Sequence, residues 1–263
     1  MDKDFLKKRI RELDHYCYER NVIRYTDFLD ISEQAVYLSM QRELETKSRL
    51  LYGGHKDPDR SAAVFLPDYM EGALELYDAG DMAGAGEAMG VVSLIEARPL
   101  NDRFSDELSH RDFLGAIMNL GIERSKVGDI LTDGSRAFIF VISDIADYLA
   151  EELRRVKHTS VSCQRVGLSC CDIEPAFSEE RINVASERAD AVVAAVFRLS
   201  RDLASRLIGN GNVFSDGMEL KKASAELRDG ARISVRGYGK FIYRGMENVT
   251  RKGRLYVLID RYV

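Results

Sequence analysis

Residues 188–213 read RADAVVAAVFRLSRDLASRLIGNGNV, and this stretch decides the fold of the C-terminal part of the chain. Ala189, Val192, Val193 and Val196 fall on one helical face, and after a break at Leu199-Ser200 the residues Leu203, Ala204, Leu207 and Ile208 form a second. Two short helices are therefore predicted, the second stopped by Gly209 and Gly211. Beyond them Asp216-Gly217 suits a tight hairpin turn, and Arg232 to Arg236 and Leu255 to Ile259 are strand-like. Arg201 and Arg236 belong to different elements, so only the folded chain can bring them together.

Charge separates this region from what precedes it. From Glu180 onward there are sixteen Lys and Arg against ten Asp and Glu, a net of +6, whereas the preceding 179 residues hold twenty-two against thirty-three, a net of −11. The overall charge of −5 hides a basic segment behind an acidic one, which localises phosphate attraction to one end of the chain.

At 263 residues the chain is long for one core, and three small domains are expected. Cys17, Cys163, Cys170 and Cys171 form no Cys-x-x-Cys pair and, with only four histidines in the chain, suggest reduced thiols rather than a zinc site. The charged start Met1-Asp2-Lys3-Asp4-Phe5 and the lack of a long apolar run predict neither signal peptide nor membrane anchor, hence a soluble cytoplasmic protein.

The expected class is α+β. Residues 1–58 read as a helical region, with one stripe at Phe5, Leu6, Ile10, Leu13 and Cys17 and another at Phe28, Ala35, Val36, Leu38, Met40 and Leu44. Gly53-Gly54-His55-Lys56-Asp57-Pro58-Asp59 marks a boundary or an exposed loop. Residues 59–168 read as a compact α+β domain with strands at 62–66, 91–95, 136–142 and 159–166 and helices at 109–120 and 144–156, the first opened by a Ser109/Asp112 capping box. Gly167 to Ser178, with Pro175, reads as linker, and 180–263 as the last domain.

The order of landmarks in that last domain resembles the RNA-binding domain first named for protein S-four of the small ribosomal subunit. Arg188-Ala189-Asp190, Ser200-Arg201-x-x-Ala204 and Leu207-Ile208-x-x-Gly211-x-Val213 carry the resemblance, followed in order by Gly217, Ser224, Leu227, Gly230, Ile233 and Val235-Arg236-Gly237. Ala189, Ser215, Asp216 and Ala231 depart from the pattern without removing a cation. In the middle, Ser109-His110-Arg111-Asp112-Phe113-Leu114-Gly115, Met118-Asn119-Leu120-Gly121-Ile122 and Gly128-Asp129-Ile130-Leu131 resemble the signature of the YlmH-like RNA-binding proteins, and Gly237-x-Gly239-Lys240-Phe241 and Thr250-Arg251-Lys252-Gly253-Arg254 fit that family's tail. The resemblance implies a non-enzymatic protein without cofactor. Its partners would be 23S rRNA and peptidyl-tRNA on the large ribosomal subunit, with translation-factor contacts, in quality control of stalled translation. A cell-division connection also attaches to the family.

The candidate RNA contacts are Arg188, Arg201, Arg206, Arg236, Lys240, Lys252 and Arg254, with Asp190 placed to orient Arg188 or cap its helix. Arg136-Ala137-Phe138-Ile139-Phe140-Val141 partly imitates the central strand of an RRM, so Phe138 and Phe140 could stack bases, but Ala137, Ile139 and Ser143 depart from that pattern and favour core packing. The middle domain is expected to be RRM-like in architecture only. His110-Arg111-Asp112 lacks the Asn that a kinase loop needs five residues after the Asp, and Gly84-Ala85-Gly86-Glu87-Ala88-Met89-Gly90 has the wrong spacing for a dinucleotide turn. No catalytic or metal-ligating group stands out. Two rival classes remain at this level: an RNA-modifying enzyme of pseudouridine synthase or methyltransferase type that uses the last domain as a substrate guide, and a protein-interaction adaptor.

Overall fold

The computed structural model describes residues 2–101, 106–173, 177–251 and 253–262. Helices and antiparallel strands form an α+β architecture in two units, Met1–Glu174 and Pro175–Val263, each with its own core. Among the described residues no helix is long and apolar enough to cross a membrane.

The first unit opens with α1 (Lys3–Arg20), which buries Leu6, Ile10, Leu13 and Cys17 along one face. After it come β1 (Arg24–Leu29), α2 (Ile31–Ser39), β2 (Arg49–Tyr52) and β3 (Ser61–Phe65), with the strands paired antiparallel in the order β1-β3-β2. The N-terminal region is therefore not helical alone. Phe28, which periodicity placed in a second helix, lies in β1, and the central strand of its sheet comes from beyond residue 58. A run as short as Phe28-Leu29 fits either period, and pairing with β3 decides between them. Every residue of β3 is buried: Ala63 and Phe65 pack with α1 and α2, while Ala62 and Val64 face a larger sheet.

Two helices, α3 (Glu71–Asp78) and α4 (Met82–Met89), lead to that sheet. It contains β4 (Val92–Pro99), α5 (His110–Asn119), β5 (Val127–Thr132), β6 (Ala137–Ile142), α6 (Ala146–Glu152), β7 (Arg155–Val156) and β8 (Thr159–Val166), all neighbouring strands antiparallel, in the order β5-β6-β4-β8-β7. Apart from β7, the succession β-α-β-β-α-β with β4 and β6 central is the split βαβ arrangement. The predicted capping box at Ser109 and Asp112 starts α5. α6 is shorter than the stretch 144–156 that looked helical, because Arg155 and Val156 leave it to pair with Ser160 and Thr159.

β6 has no polar residue and is covered on both faces. Ala137, Ile139 and Val141 pack with Phe113, Ile117 and Leu149, while Phe138, Phe140 and Ile142 pack with Phe28, Tyr52, Val64 and Met89. Phe138 and Phe140 are 1% and 0% exposed, which removes the base-stacking alternative for this strand. The loop 53–59 is exposed at Lys56, Asp57 and Asp59, but it is also part of the cover and not a boundary between the two units. His55 stacks on Phe140 with ring centroids 4.7 Å apart, and its Nε2 lies 3.0 Å from Asp129 Oδ2, which also accepts from Asp59 N at 2.7 Å. Gly54, at φ 94°, lies so close to Phe140 that a side chain would collide with the ring. The Ala-Gly segment is α4, where Gly86 leaves room for the Tyr52 hydroxyl to donate to Met82 O at 2.6 Å.

The division between the two units, at Glu174 and Pro175, falls within the stretch 167–178 read as linker, and the described residues on either side are held by their own units. Leu168 is buried in the first unit and Asp172 receives both bonds of the Arg136 Nη2 group at 2.8 Å, while Phe177 and Ser178 already belong to a strand of the second unit. Pro175 lies outside the described residues.

That unit comprises β9 (Phe177–Val184), α7 (Ala189–Val196), α8 (Arg201–Gly209), β10 (Val213–Ser215), β11 (Met218–Glu219), β12 (Arg232–Val235), β13 (Gly239–Val249) and β14 (Leu255–Tyr262). Its six-stranded sheet runs β11-β10-β12-β13-β14-β9, with every pair antiparallel. Both predicted helices lie on one face, where Val192, Val193, Val196, Ala204 and Ile208 meet Ile233, Val235, Phe241, Tyr243, Val257 and Ile259. Asp216 and Gly217 turn the β10–β11 hairpin with φ of 49° and 78°, a conformation that Asp tolerates and Gly adopts freely. β9 is highly polar, and it is a strand because β14 offers its edge along eight paired residues, Leu255↔Val184 to Tyr262↔Phe177.

Candidate nucleic-acid interface

The site begins at the start of α7. Arg188 is the residue before the helix, in extended conformation. The amides that follow it are satisfied from a distant segment: Ala189 N donates to Ala225 O at 2.8 Å and Asp190 N to Ala223 O at 3.0 Å. The helix end thus needs no side-chain cap, and the Asp190 carboxylate is available for cations.

Asp190 uses it on two arginines. Arg188 donates from Nε to Oδ1 at 3.1 Å and from Nη2 to Oδ2 at 3.2 Å, and Arg201 donates from Nη2 to both oxygens at 3.2 and 3.0 Å. Arg201 is positioned by α8, whose first turn is capped by Ser200 Oγ accepting from Leu203 N at 3.2 Å. The Asp190 side chain is 6% exposed, and those of Arg188 and Arg201 are 43% and 49% exposed. Burial alone would raise the Asp190 carboxyl, but the hydrogen bonds from Arg188 and Arg201 outweigh it and hold the group below the usual aspartate range. One buried charge therefore orients two partly exposed guanidiniums and leaves a net positive pair. A guanidinium has five N–H donors, so each arginine retains donors for a phosphate after serving Asp190.

The other expected contacts are not joined to this clamp. Arg206 is exposed in the last turn of α8, about 140° around the helix from Arg201. Arg236 is exposed just after β12, and its amide donates to Asn212 O at 2.9 Å, which ties that turn to the end of α8. Lys240 alternates with the buried Phe241 on β13, so it lies on the sheet face away from the helices, where its ammonium sits 3.8 Å from the centre of the Tyr262 ring. Arg254 bonds the side chain of Asn183 and donates to Asn183 O at 3.0 Å, which fastens the β13–β14 hairpin to β9. Lys252 lies outside the described residues.

Asp190 was foreseen as a partner of Arg188 but not of Arg201, because the second contact depends on how α8 packs against α7. Arg198 was missed altogether. It is exposed at the end of α7 with φ 54°, and no carboxylate pairs with it among the described residues. Its only signal in the sequence is a cation in the Phe197-Arg198-Leu199-Ser200 break between the two helices. Among the described residues no group of three His, Cys, Asp or Glu side chains gathers as a metal site.

Compared with known proteins, residues 92–169 match the family described as "Putative RNA-binding domain in YlmH". The matched stretch begins at β4 and ends just past β8. The chain is similar to the Ribosome-associated protein quality control protein P2 of Bacillus subtilis (strain 168), 28% identical over 247 residues that span 92% of this chain and 89% of that protein. A solved structure described as Cell division protein ylmH from Streptococcus pneumoniae aligns at 21% identity, covering 66% of this chain and 94% of that one, with a TM-score of 0.45.

Proposed function

The chain is YlmH-like, and from that premise we propose that it is a non-enzymatic RNA-binding protein that works on the ribosome. In this proposal it docks on the large subunit, on 23S rRNA and peptidyl-tRNA, in quality control of stalled translation, and its second unit is an S-four-type module that makes the principal contact. The observation that carries the proposal is the Asp190 clamp, which holds Arg188 and Arg201 together within a segment of net charge +6.

Two arginines fixed before binding lose less side-chain entropy when they meet a phosphate, so the clamp favours a defined backbone geometry over a linear sequence. Arg206, Arg236 and Lys240 add separate phosphate contacts, and counterion release supplies much of the affinity. The family match falls on the first unit, whose split βαβ topology supports an RRM-like reading. Because its aromatic strand is covered on both faces, that unit contributes to the proposal through its outer surface, toward RNA or a translation factor, and not through base stacking on Phe138 or Phe140.

The test is sedimentation of the full-length protein with purified large ribosomal subunits across a salt series. Co-sedimentation that weakens steeply with salt is expected, and Arg201→Ala should weaken binding by about 1–3 kcal/mol and lower the salt slope by about one. A protein that stays in the free fraction even at low salt would overturn the ribosomal proposal.

A further inference from the structure

A cleft of about 580 Å³ opens in the second unit between the end of α7 and the turn joining β12 to β13. Glu180, Val196, Phe197, Arg198, Tyr238 and Arg261 line it, and none of them takes part in the Asp190 clamp.

Each part of the cleft has a distinct chemistry. The wall is aromatic: the Phe197 and Tyr238 rings lie 6.0 Å apart at 54°, and Tyr238 is 44% exposed. Tyr238 is carried between Gly237 at φ 81° and Gly239 at φ 124°, backbone conformations that only glycine adopts without strain, so the turn holds this ring outward. The rim carries Arg198, an exposed cation without a carboxylate partner among the described residues. The floor is Arg261, which donates from Nε and Nη2 to Glu180 at 2.6 and 3.0 Å and from Nη2 to Val196 O at 2.6 Å. That pair cancels its own charge while presenting donors and acceptors together.

A lone phosphate would have no use for the open ring, and an apolar side chain would leave the Arg261–Glu180 pair without compensation for lost water. A nucleobase uses all three parts: its π-face stacks on the ring, its polar edge meets the floor, and its flanking phosphates meet the rim. We propose that this cleft receives one unstacked nucleobase of a bound RNA, stacked on Tyr238, with Arg198 on the adjoining phosphate. The proposal rests on the RNA-binding reading above and adds to it recognition of an unpaired nucleotide at a site separate from the clamp.

The experiment uses the full-length protein and two RNA hairpins of the same stem, one with a single bulged 2-aminopurine and one with the same base paired to uracil. The bulged hairpin should bind about tenfold more tightly, the effect of one base stacked on one aromatic ring, and its fluorescence should fall on binding. Tyr238→Ala should abolish both the preference and the quench, Tyr238→Phe should keep both, and thermal unfolding should match in all three proteins because the residue is exposed on a turn. Equal affinity for the two hairpins, or a preference that survives Tyr238→Ala, would overturn the cleft proposal while leaving RNA binding intact. Failure to bind either hairpin at low salt would overturn both. Adenosine and guanosine monophosphates are added as competitors: restoration of the fluorescence at micromolar concentration would assign the cleft to a free nucleotide instead of RNA, and no effect is expected.

Discussion

Removing both guanidiniums from Asp190, in the double variant Arg188→Ala/Arg201→Ala, should destabilise the second unit more than removing the carboxylate with them. Asp190 is 4% exposed and receives four N–H···O contacts of 3.0–3.2 Å from these two side chains. Breaking a buried pair by deleting one side typically costs about 3–5 kcal/mol because a charge is left without a partner. Here the arginines are nearly half exposed, and solvent already screens them, so the expected loss is about 2–4 kcal/mol. Arg201→Ala alone leaves Arg188 on both oxygens and should cost about 1 kcal/mol. Adding Asp190→Ala to the double variant removes the stranded charge and should recover about 1–2 kcal/mol.

The pH dependence gives the same argument an independent sign. In the native protein the Asp190 carboxyl is held low, so its stabilisation is fully present above the ordinary aspartate pKa of about 4 and is lost only as pH falls through the lower folded value. In the double variant burial acts without opposition and raises the folded value, so the destabilisation is largest near neutrality and shrinks as pH falls toward about 4. Urea unfolding of the two proteins, followed through the transition of the second unit from pH 7 to pH 4.5, measures the gap. A gap that stays constant or widens on acidification, or a triple variant less stable than the double, would refute the clamp.

The second unit should fold as a fragment beginning at residue 175, since its core residues all lie between Val184 and Ile259; a fragment beginning at residue 186 should fold poorly by circular dichroism, because it loses β9 and the Glu180 partner of Arg261. Phe140→Ala should destabilise the first unit by about 3–5 kcal/mol, read by calorimetry, with RNA affinity of the folded protein unchanged. Arg206→Ala should weaken RNA binding and reduce its salt slope by about one without moving the unfolding temperature, because Arg206 has no carboxylate partner among the described residues. Arg254→Ala should do the reverse, lowering stability through the lost bonds to Asn183 with a smaller effect on binding.

What could be read from residues alone was whatever depends on near neighbours. The stripes of α7 and α8, the capping box at Ser109, the Asp216-Gly217 turn and the apolar run of β6 are set by interactions within a few residues, so pattern and turn chemistry were sufficient. The net charge of +6 after residue 179 is likewise a property of composition. Elements whose stability comes from a partner far along the chain were not legible. β1 needs β3, β9 needs β14 some eighty residues away, and the loop 53–59 is ordered by Asp129 and Phe140. The functional residues divide in the same way. Arg188 and Arg201 could be picked out one at a time as cations at helix starts, but their union on Asp190 required α8 to fold back on α7, and the cleft at Tyr238 required Glu180, Arg198 and Arg261 to meet from three elements. Local sequence supplies charge and periodicity within a segment, whereas the pairing of a buried carboxylate with two guanidiniums is a long-range choice made by core packing, and only the folded chain contains it.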